Sequence, residues 1–149
     1  MSTTEYDVRP ARRDDFEPAS TLLSESRLPL DGFADHFGNA LVATRGTRVV
    51  GVVELEVYGS AALLRSLVVA PSDRGARLGE RLTREALRLA RERAAPDVYL
   101  LTETAERFFP RFGFAVEDRR HAPPALMQSE EFRTACPASA VMMHARVGA

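Results

Sequence analysis

Two carboxylates, one isolated arginine and a glycine-bearing loop are the residues of this chain whose types and spacing could do chemistry. Glu54 and Glu56 alternate with Val53, Leu55 and Val57, so on a strand both side chains point to one face. If that face lines a crevice, either carboxylate is placed to act as a general base. If the strand lies at a sheet edge, the pair is simply its solvent face. Arg65 sits in an apolar run between Leu64 and Ser66. A guanidinium there needs a partner, either a carboxylate of a bound molecule gripped bidentately or an internal ion pair with a strand glutamate. Ser66, Thr102 and His121 are further candidates to contact a bound molecule, set against structural roles for the first two and plain exposure for the third. The third feature is the run Leu67-Val68-Val69-Ala70-Pro71 followed by Ser72-Asp73-Arg74-Gly75-Ala76-Arg77-Leu78-Gly79-Glu80. It reads as a strand, a tight basic loop and the start of an amphipathic helix. A helix N-terminus presents amides without intrahelical partners and the positive end of the macrodipole. The loop amides can therefore enclose a phosphate or pyrophosphate, although an ordinary strand-to-helix turn also uses glycines.

The totals bound the setting for this chemistry. The chain has 149 residues, 45% of them hydrophobic and 28% charged, with a net charge of −1. That length fits one domain, residues 1–149, with enough burial for a core without staples. A near-neutral balance argues against a dedicated nucleic-acid binder, which carries a basic excess. The one cysteine, Cys136, forbids an internal disulfide and is compatible with a reducing compartment. The polar stretch Met1–Asp15 has no signal-peptide pattern and no apolar run reaches transmembrane length, so a cytoplasmic location away from membranes is expected. His36, His144 and Cys136 lack metal-ligand spacing, and no metal is expected. All twenty basic residues are arginines, which excludes any lysine Schiff base.

The elements that must position these residues follow from periodicity. Tyr6–Pro10 reads as a short strand and Arg13–Ser26 as a helix with Phe16, Ala19, Leu22 and Leu23 on one side. Ala40–Thr44 and Arg48–Val57 form strands around the turn Arg45-Gly46-Thr47, and Ala61–Val69 a third. A helix from Ala76 to Ala94 carries Leu78, Leu82, Ala86, Leu89 and Ala90 inward, with Glu80–Arg84, Arg81–Glu85 and Arg88–Glu92 as outer pairs. Val98–Thr102 is apolar throughout, as in a strand buried on both faces. Strand, helix and strand in succession make a βαβ unit with a parallel pair. Thr104 is placed to cap a short helix from Ala105 to Phe112, with Gly113 at its left-handed end. Phe114–Val116 and Ala140–Val147 read as further strands, and Gln128–Ala135 as weakly helical.

Two landmarks in this order resemble the GNAT superfamily of acyl-CoA-dependent N-acetyltransferases. The first is Leu67, Val69 and Pro71 on the strand, with Arg74 and Gly79 in the loop. The second is Phe108-Phe109-Pro110-Arg111-Phe112-Gly113-Phe114. The resemblance covers nearly the whole chain. It implies an α/β (α+β) fold: a mixed central sheet of six to seven strands flanked by about four helices, its parallel pair splayed at the cofactor site. Three segments further resemble the small N-acetyltransferases of bacterial arsenic-resistance operons: Tyr58-Gly59 with Leu63–Leu67, Leu100–Thr102 with Ala105–Phe109, and Phe132 with Cys136–Ala140.

The resemblance implies acetyl-CoA as co-substrate, direct acetyl transfer to a small-molecule amine such as an amino acid or its arsenic-containing analogue, and a monomer or homodimer. It implies that Leu67, Val68 and Val69 pair with the pantetheine arm and help polarise the thioester. It further implies that Arg74, Gly75, Ala76, Arg77, Leu78, Gly79 and Glu80 hold the pyrophosphate, with Arg107 and Phe108 also at the cofactor. Glu54 and Glu56 become the general-base candidates, and Arg65, Ser66, Thr102 and His121 the acceptor contacts. Two departures stand out. Arg77 occupies a loop position that is usually glycine, so either that position is not left-handed or its side chain turns outward, where it can meet a phosphate. Phe109 stands where many members carry an acidic tyrosine, leaving water, Tyr58 or Tyr99 as proton donors. Phe109 and Arg77 also admit an acyl-CoA-binding sensor that has lost catalysis.

Overall fold

The computed structural model describes residues 5–135 and 139–148. Cys136, and with it part of the third arsenic-like segment, lies outside the described residues. Seven strands form one sheet: β1 (Asp7–Pro10), β2 (Ala40–Arg45), β3 (Arg48–Tyr58), β4 (Ala61–Val69), β5 (Asp97–Thr102), β6 (Ala115–Val116) and β7 (Val141–Arg146). Their spatial order is β1-β2-β3-β4-β5-β7-β6. Every neighbouring pair is antiparallel except β4 and β5. The α-helices are α1 (Phe16–Glu25) and α2 (Leu78–Glu92); short 3-10 segments and one π-type turn, Glu131–Ala135, complete the described elements. No helix among the described residues is long and apolar enough to cross a membrane.

Helix α2 is the crossover between the parallel strands. Leu78, Leu82, Ala86 and Ala90 recur every four residues and are all buried. Gly51 on β3 lets this helix approach: a Cβ there would lie 3.0 Å from Leu82 Cδ1 and 3.2 Å from both Ala43 Cβ and the Val68 carbonyl oxygen. By alternation Val53 and Leu55 share that face, and Glu54 and Glu56 take the other. Of the outer pairs expected along α2, Arg88 pairs with Glu85 at 3.5 Å instead of Glu92, and the Glu80–Arg84 and Arg81–Glu85 pairs give way to tertiary partners. Glu80 meets Arg111 at 3.1 Å, Arg81 donates to the Tyr6 carbonyl, and Arg84 lies over the Phe112 ring. Side chains that can reach another element gain more there than from a solvated neighbour on their own helix.

Two adjustments shape the site. Between Val52 and Glu54 the β3–β4 register shifts: Val52 pairs with Val68, but Glu54 pairs with Arg65. The extra residue lies on β4, which bulges at Ser66, a non-glycine residue at φ 61°. Pairing between β4 and β5 then stops at Leu63–Tyr99. Beyond that point the parallel strands part.

Apolar side chains form two clusters. The larger joins α1, α2 and the sheet centre. The smaller gathers Ala61, Leu63, Tyr99, Leu126, Phe132 and Met142, and it fastens the segment after β6 onto β4, β5 and β7. The helix expected over Ala105–Phe112 is a turn followed by a 3-10 turn, Phe109–Phe112, because Pro110 at its start supplies no backbone donor. Thr102, rather than Thr104, provides the cap, its Oγ1 accepting from the Ala105 amide at 2.9 Å. Gly113 closes the turn at φ 95°.

Candidate functional site

Where β4 and β5 separate, a cleft of about 540 Å³ opens. Leu64–Leu67 of β4 form one wall and Leu100–Thr102 of β5 the other. Ser26–Pro29 after α1, the Phe108–Phe109 pair and Glu131 close the remaining sides. On the β5 side, no strand among the described residues pairs with the edge of β4 beyond Leu63. An exposed strand edge of this kind accepts an extended ligand as an added strand. Leu67 faces the cleft, whereas Val68 is buried.

The loop into α2 is built as the residues require. Gly75 adopts φ 91°, a conformation glycine reaches without penalty. Arg77 is the N-cap of α2 at φ 60° and ψ 27°, so the position is left-handed after all. Its side chain is exposed and turned outward. No side chain caps this end. The first helical bond runs from the Arg81 amide to the Arg77 carbonyl, which leaves the amides of Leu78, Gly79 and Glu80 ahead of the ladder. The loop is anchored by Asp73, which the sequence did not single out. Its buried carboxylate accepts from Tyr6 and Ser72 at 3.0 Å each and meets Arg45 at 3.2 Å. Arg74 folds back to donate to the Val69 carbonyl. Phe108 connects loop and cleft: it lines the cleft and lies 3.5 Å from where a Cβ on Gly79 would sit. Arg107 is exposed and lines an adjoining hollow with Arg111.

At the opposite end Arg65 is almost fully buried. Its Nε donates to Ser66 Oγ at 2.9 Å, its Nη1 to Glu56 Oε2 at 2.8 Å and to the Asp31 carbonyl, and its Nη2 to the Pro29 carbonyl at 2.9 Å. Of the two readings of Arg65, the internal ion pair is the one observed. Four of the guanidinium's five N–H donors are spent on the protein. The bonds to Pro29 and Asp31 hold the chain after α1 as a cleft wall.

Glu54 and Glu56 do share a face, but not a solvent face: β3 is interior, and both are completely buried behind the cleft wall rather than lining it. Glu56 is held by Arg65 and by the Tyr58 hydroxyl, which donates to Oε1 at 2.6 Å. Neither carboxylate oxygen of Glu54 has a hydrogen-bond partner, and Arg65 Nε is 3.9 Å away. Burial pushes Glu54 up to about 9, Glu56 and Glu131 adding to the shift against the opposing charge of Arg65. At neutral pH it is a carboxylic acid and unfit to accept a proton.

Thr102 lines the cleft and Ser66 forms part of its wall. His121 is exposed on the turn Arg119–His121, away from the cleft-lining residues. Tyr58 and Tyr99 also lie off the cleft, Tyr58 engaged with Glu56 and Tyr99 stacked on His144 at 4.3 Å. Phe109 lines the cleft with no proton to offer. Glu131, absent from the sequence-derived candidates, does line it. It is 8% exposed, with Oε2 3.5 Å from Arg65 Nε.

Comparison with known proteins fits this geometry. A family model described as an acetyltransferase (GNAT) domain matches residues 36–116. No curated protein matches by sequence. Among solved structures, N-acetylglutamate synthase from Neisseria gonorrhoeae, complexed with coenzyme A and N-acetyl-glutamate, superposes with a TM-score of 0.83 at 16% identity, covering 99% of this chain and 36% of that one. A Mycobacterium tuberculosis protein in complex with CoA gives 0.82 at 20% identity, with 95% and 99% covered. A GNAT family acetyltransferase from Brucella melitensis, in complex with acetyl-CoA, gives 0.62 at 20% identity, with 76% and 84% covered. This chain thus spans about a third of the length of the Neisseria synthase. At these identities the likeness establishes the fold.

Proposed function

Because the chain belongs to the GNAT acetyltransferase family, we propose that it is an acetyl-CoA-dependent N-acetyltransferase acting on the amine of a small molecule. The observation that carries this reading is the opening of β4 from β5 directly beside the uncapped N-terminus of α2. Free amides and the helix dipole suit a pyrophosphate at Arg74–Glu80, with Arg77 adding an outward cation. The open edge of β4 suits an amide-bearing pantetheine arm beside Leu67 and Val69, and Phe108 joins the two regions. Backbone amides along that edge supply hydrogen bonds that stabilise a developing oxyanion.

The acceptor enters between β4 and the chain after α1, near Ser66 and Thr102. An amino acid, or an arsenic-containing analogue of one, is the acceptor class we favour. The reading extends to a single cytoplasmic domain, monomeric or homodimeric, that needs neither metal nor nucleic acid. Tyrosine is missing from the described cleft lining, so the sulfur departs as thiolate or takes its proton from water. CoA thiol release from acetyl-CoA, measured across a panel of amino acids and small amines, tests the proposal. Acceptor-dependent release supports it.

Phe109 favours one second reading, an acyl-CoA-binding sensor. Tight acetyl-CoA binding without turnover of any acceptor would establish that alternative.

A further inference from the structure

We propose that Glu131 is the carboxylate that receives the acceptor's ammonium group and takes its proton, an assignment that rests on the acetyltransferase reading above. Transfer needs a neutral amine, and therefore a base that reaches the cleft. Glu54 is neutral and walled off, and Glu56 is locked between Arg65 and Tyr58. Among the described residues the carboxylates lining the cleft are Glu103 and Glu131. Glu103 is exposed at the rim, where it accepts from Ser139 Oγ. Glu131 lies inside.

Its position is built by long-range packing. Leu126 and Phe132 are buried against Leu63, Tyr99 and Met142. The Phe132 amide donates to Ser129 Oγ at 3.1 Å, and the Arg119 guanidinium covers the Phe132 ring. With its chain neighbour fixed on both sides, Glu131 is held at the end of the cleft where β4 bulges.

Charge sets the preference for what enters. Arg65 faces Glu56 at 2.8 Å and Glu131 at 3.5 Å, and Arg27 also lines the cleft. A carboxylate held in a partly desolvated site attracts a cation more strongly than it would in water. Arg65 spends four of its five donors on the protein, so it has little left with which to grip an acid group, and Glu131 is placed to meet an ammonium.

The ammonium nitrogen gives one proton to a Glu131 carboxylate oxygen. The freed lone pair forms the N–C bond at the thioester carbonyl carbon. The C–S bond breaks with its electron pair on sulfur. The second proton lost by nitrogen ends on that thiolate, and Glu131 returns its own proton to solvent.

The test follows CoA thiol release from acetyl-CoA with a panel of L-amino acids, between about pH 6 and about pH 9.5. For Glu131→Gln we expect kcat/KM at neutral pH to fall about 10²–10⁴-fold, with acetyl-CoA Kd unchanged. Its kcat/KM should then rise with pH in step with the free amine's own ionisation, whereas wild type, which takes the ammonium form, should stay level below it. Glu131→Asp should keep the level profile, and that profile decides the matter if the glutamine variant loses acetyl-CoA binding. A Glu131→Gln enzyme with the wild-type rate and pH profile overturns the assignment. A wild-type protein that binds acetyl-CoA yet acetylates no acceptor overturns the acetyltransferase reading itself.

Discussion

Arg65 on β4 and Glu56 on β3 meet at 2.8 Å in the interior, and the same guanidinium carries the carbonyls of Pro29 and Asp31. One buried side chain thus ties two strands of the sheet to the segment that forms the far wall of the cleft. Buried charges persist only when paired and hydrogen-bonded, and Arg65 meets both conditions.

Replacing Arg65 by Met should cost about 3–5 kcal/mol of stability, because Glu56 and Glu131 lose their counter-charge and two carbonyls lose a donor. Arg65→Lys should recover little of this, since a point ammonium cannot span the fork of partners that the planar guanidinium reaches. Equilibrium urea unfolding measures both. A loss below about 1 kcal/mol for the Met variant would show that the pairing contributes little.

Glu54 gives the protein a pH dependence of predictable sign. Its carboxyl is raised from 4.5 to about 9 in the fold, mainly by burial. Between those values the folded state holds a proton that the unfolded chain releases. Stability from this group is therefore fully present below pH 4.5 and is lost as pH rises toward 9, with a slope of at most about 1.4 kcal/mol per pH unit. Glu54→Gln cannot titrate. Its stability relative to wild type should rise steadily across that window, as read from Tm at several pH values. A constant difference would mean that Glu54 is ionised in the fold.

What could be read from the sequence was what is local. The apolar run to Val69, the loop and the four-residue spacing of α2 each declare themselves within a few neighbours, and the seven-stranded sheet with its parallel pair follows from that order. Alternation placed Glu54 and Glu56 on one face, but their burial depends on β3 being interior and on Arg65 lying across from them. Neither is visible within one strand. Arg77 reveals its left-handed backbone only in three dimensions, since nothing in an arginine signals it. Glu131 escaped for a related reason. Its segment has no strong period, and the contacts that hold it, from Phe132 to Leu63 and Tyr99, join residues far apart in the chain. Asp73 is likewise placed by Tyr6 and Arg45, from the far side of the sheet.

Gly51→Ala should destabilise by about 1–3 kcal/mol, the usual result of overpacking. The added methyl group would lie 3.0 Å from Leu82 Cδ1, where the side chain can yield, but also 3.2 Å from the backbone oxygen of Val68, where yielding moves β4. Thermal unfolding gives the cost. Combining the change with Leu82→Ala separates the two contacts: substantial rescue would assign the strain to Leu82 and leave β4 undisturbed.

Arg77→Gly separates backbone from side chain in the loop ahead of α2. The left-handed conformation costs a non-glycine residue roughly 1–2 kcal/mol, and glycine gives back part of that gain through the greater freedom of the unfolded chain. The variant should be more stable than wild type by up to about 1 kcal/mol. It should also bind acetyl-CoA less tightly, about 3–10-fold at low salt, because the outward guanidinium is lost. That deficit should shrink as ionic strength rises, since an exposed charge is screened within a Debye length. Calorimetric titration at two salt concentrations, alongside a melting curve, measures both effects. Unchanged affinity at low salt would leave the amides of Leu78, Gly79 and Glu80 as the whole of the anion site, with Arg77 no more than a strained cap.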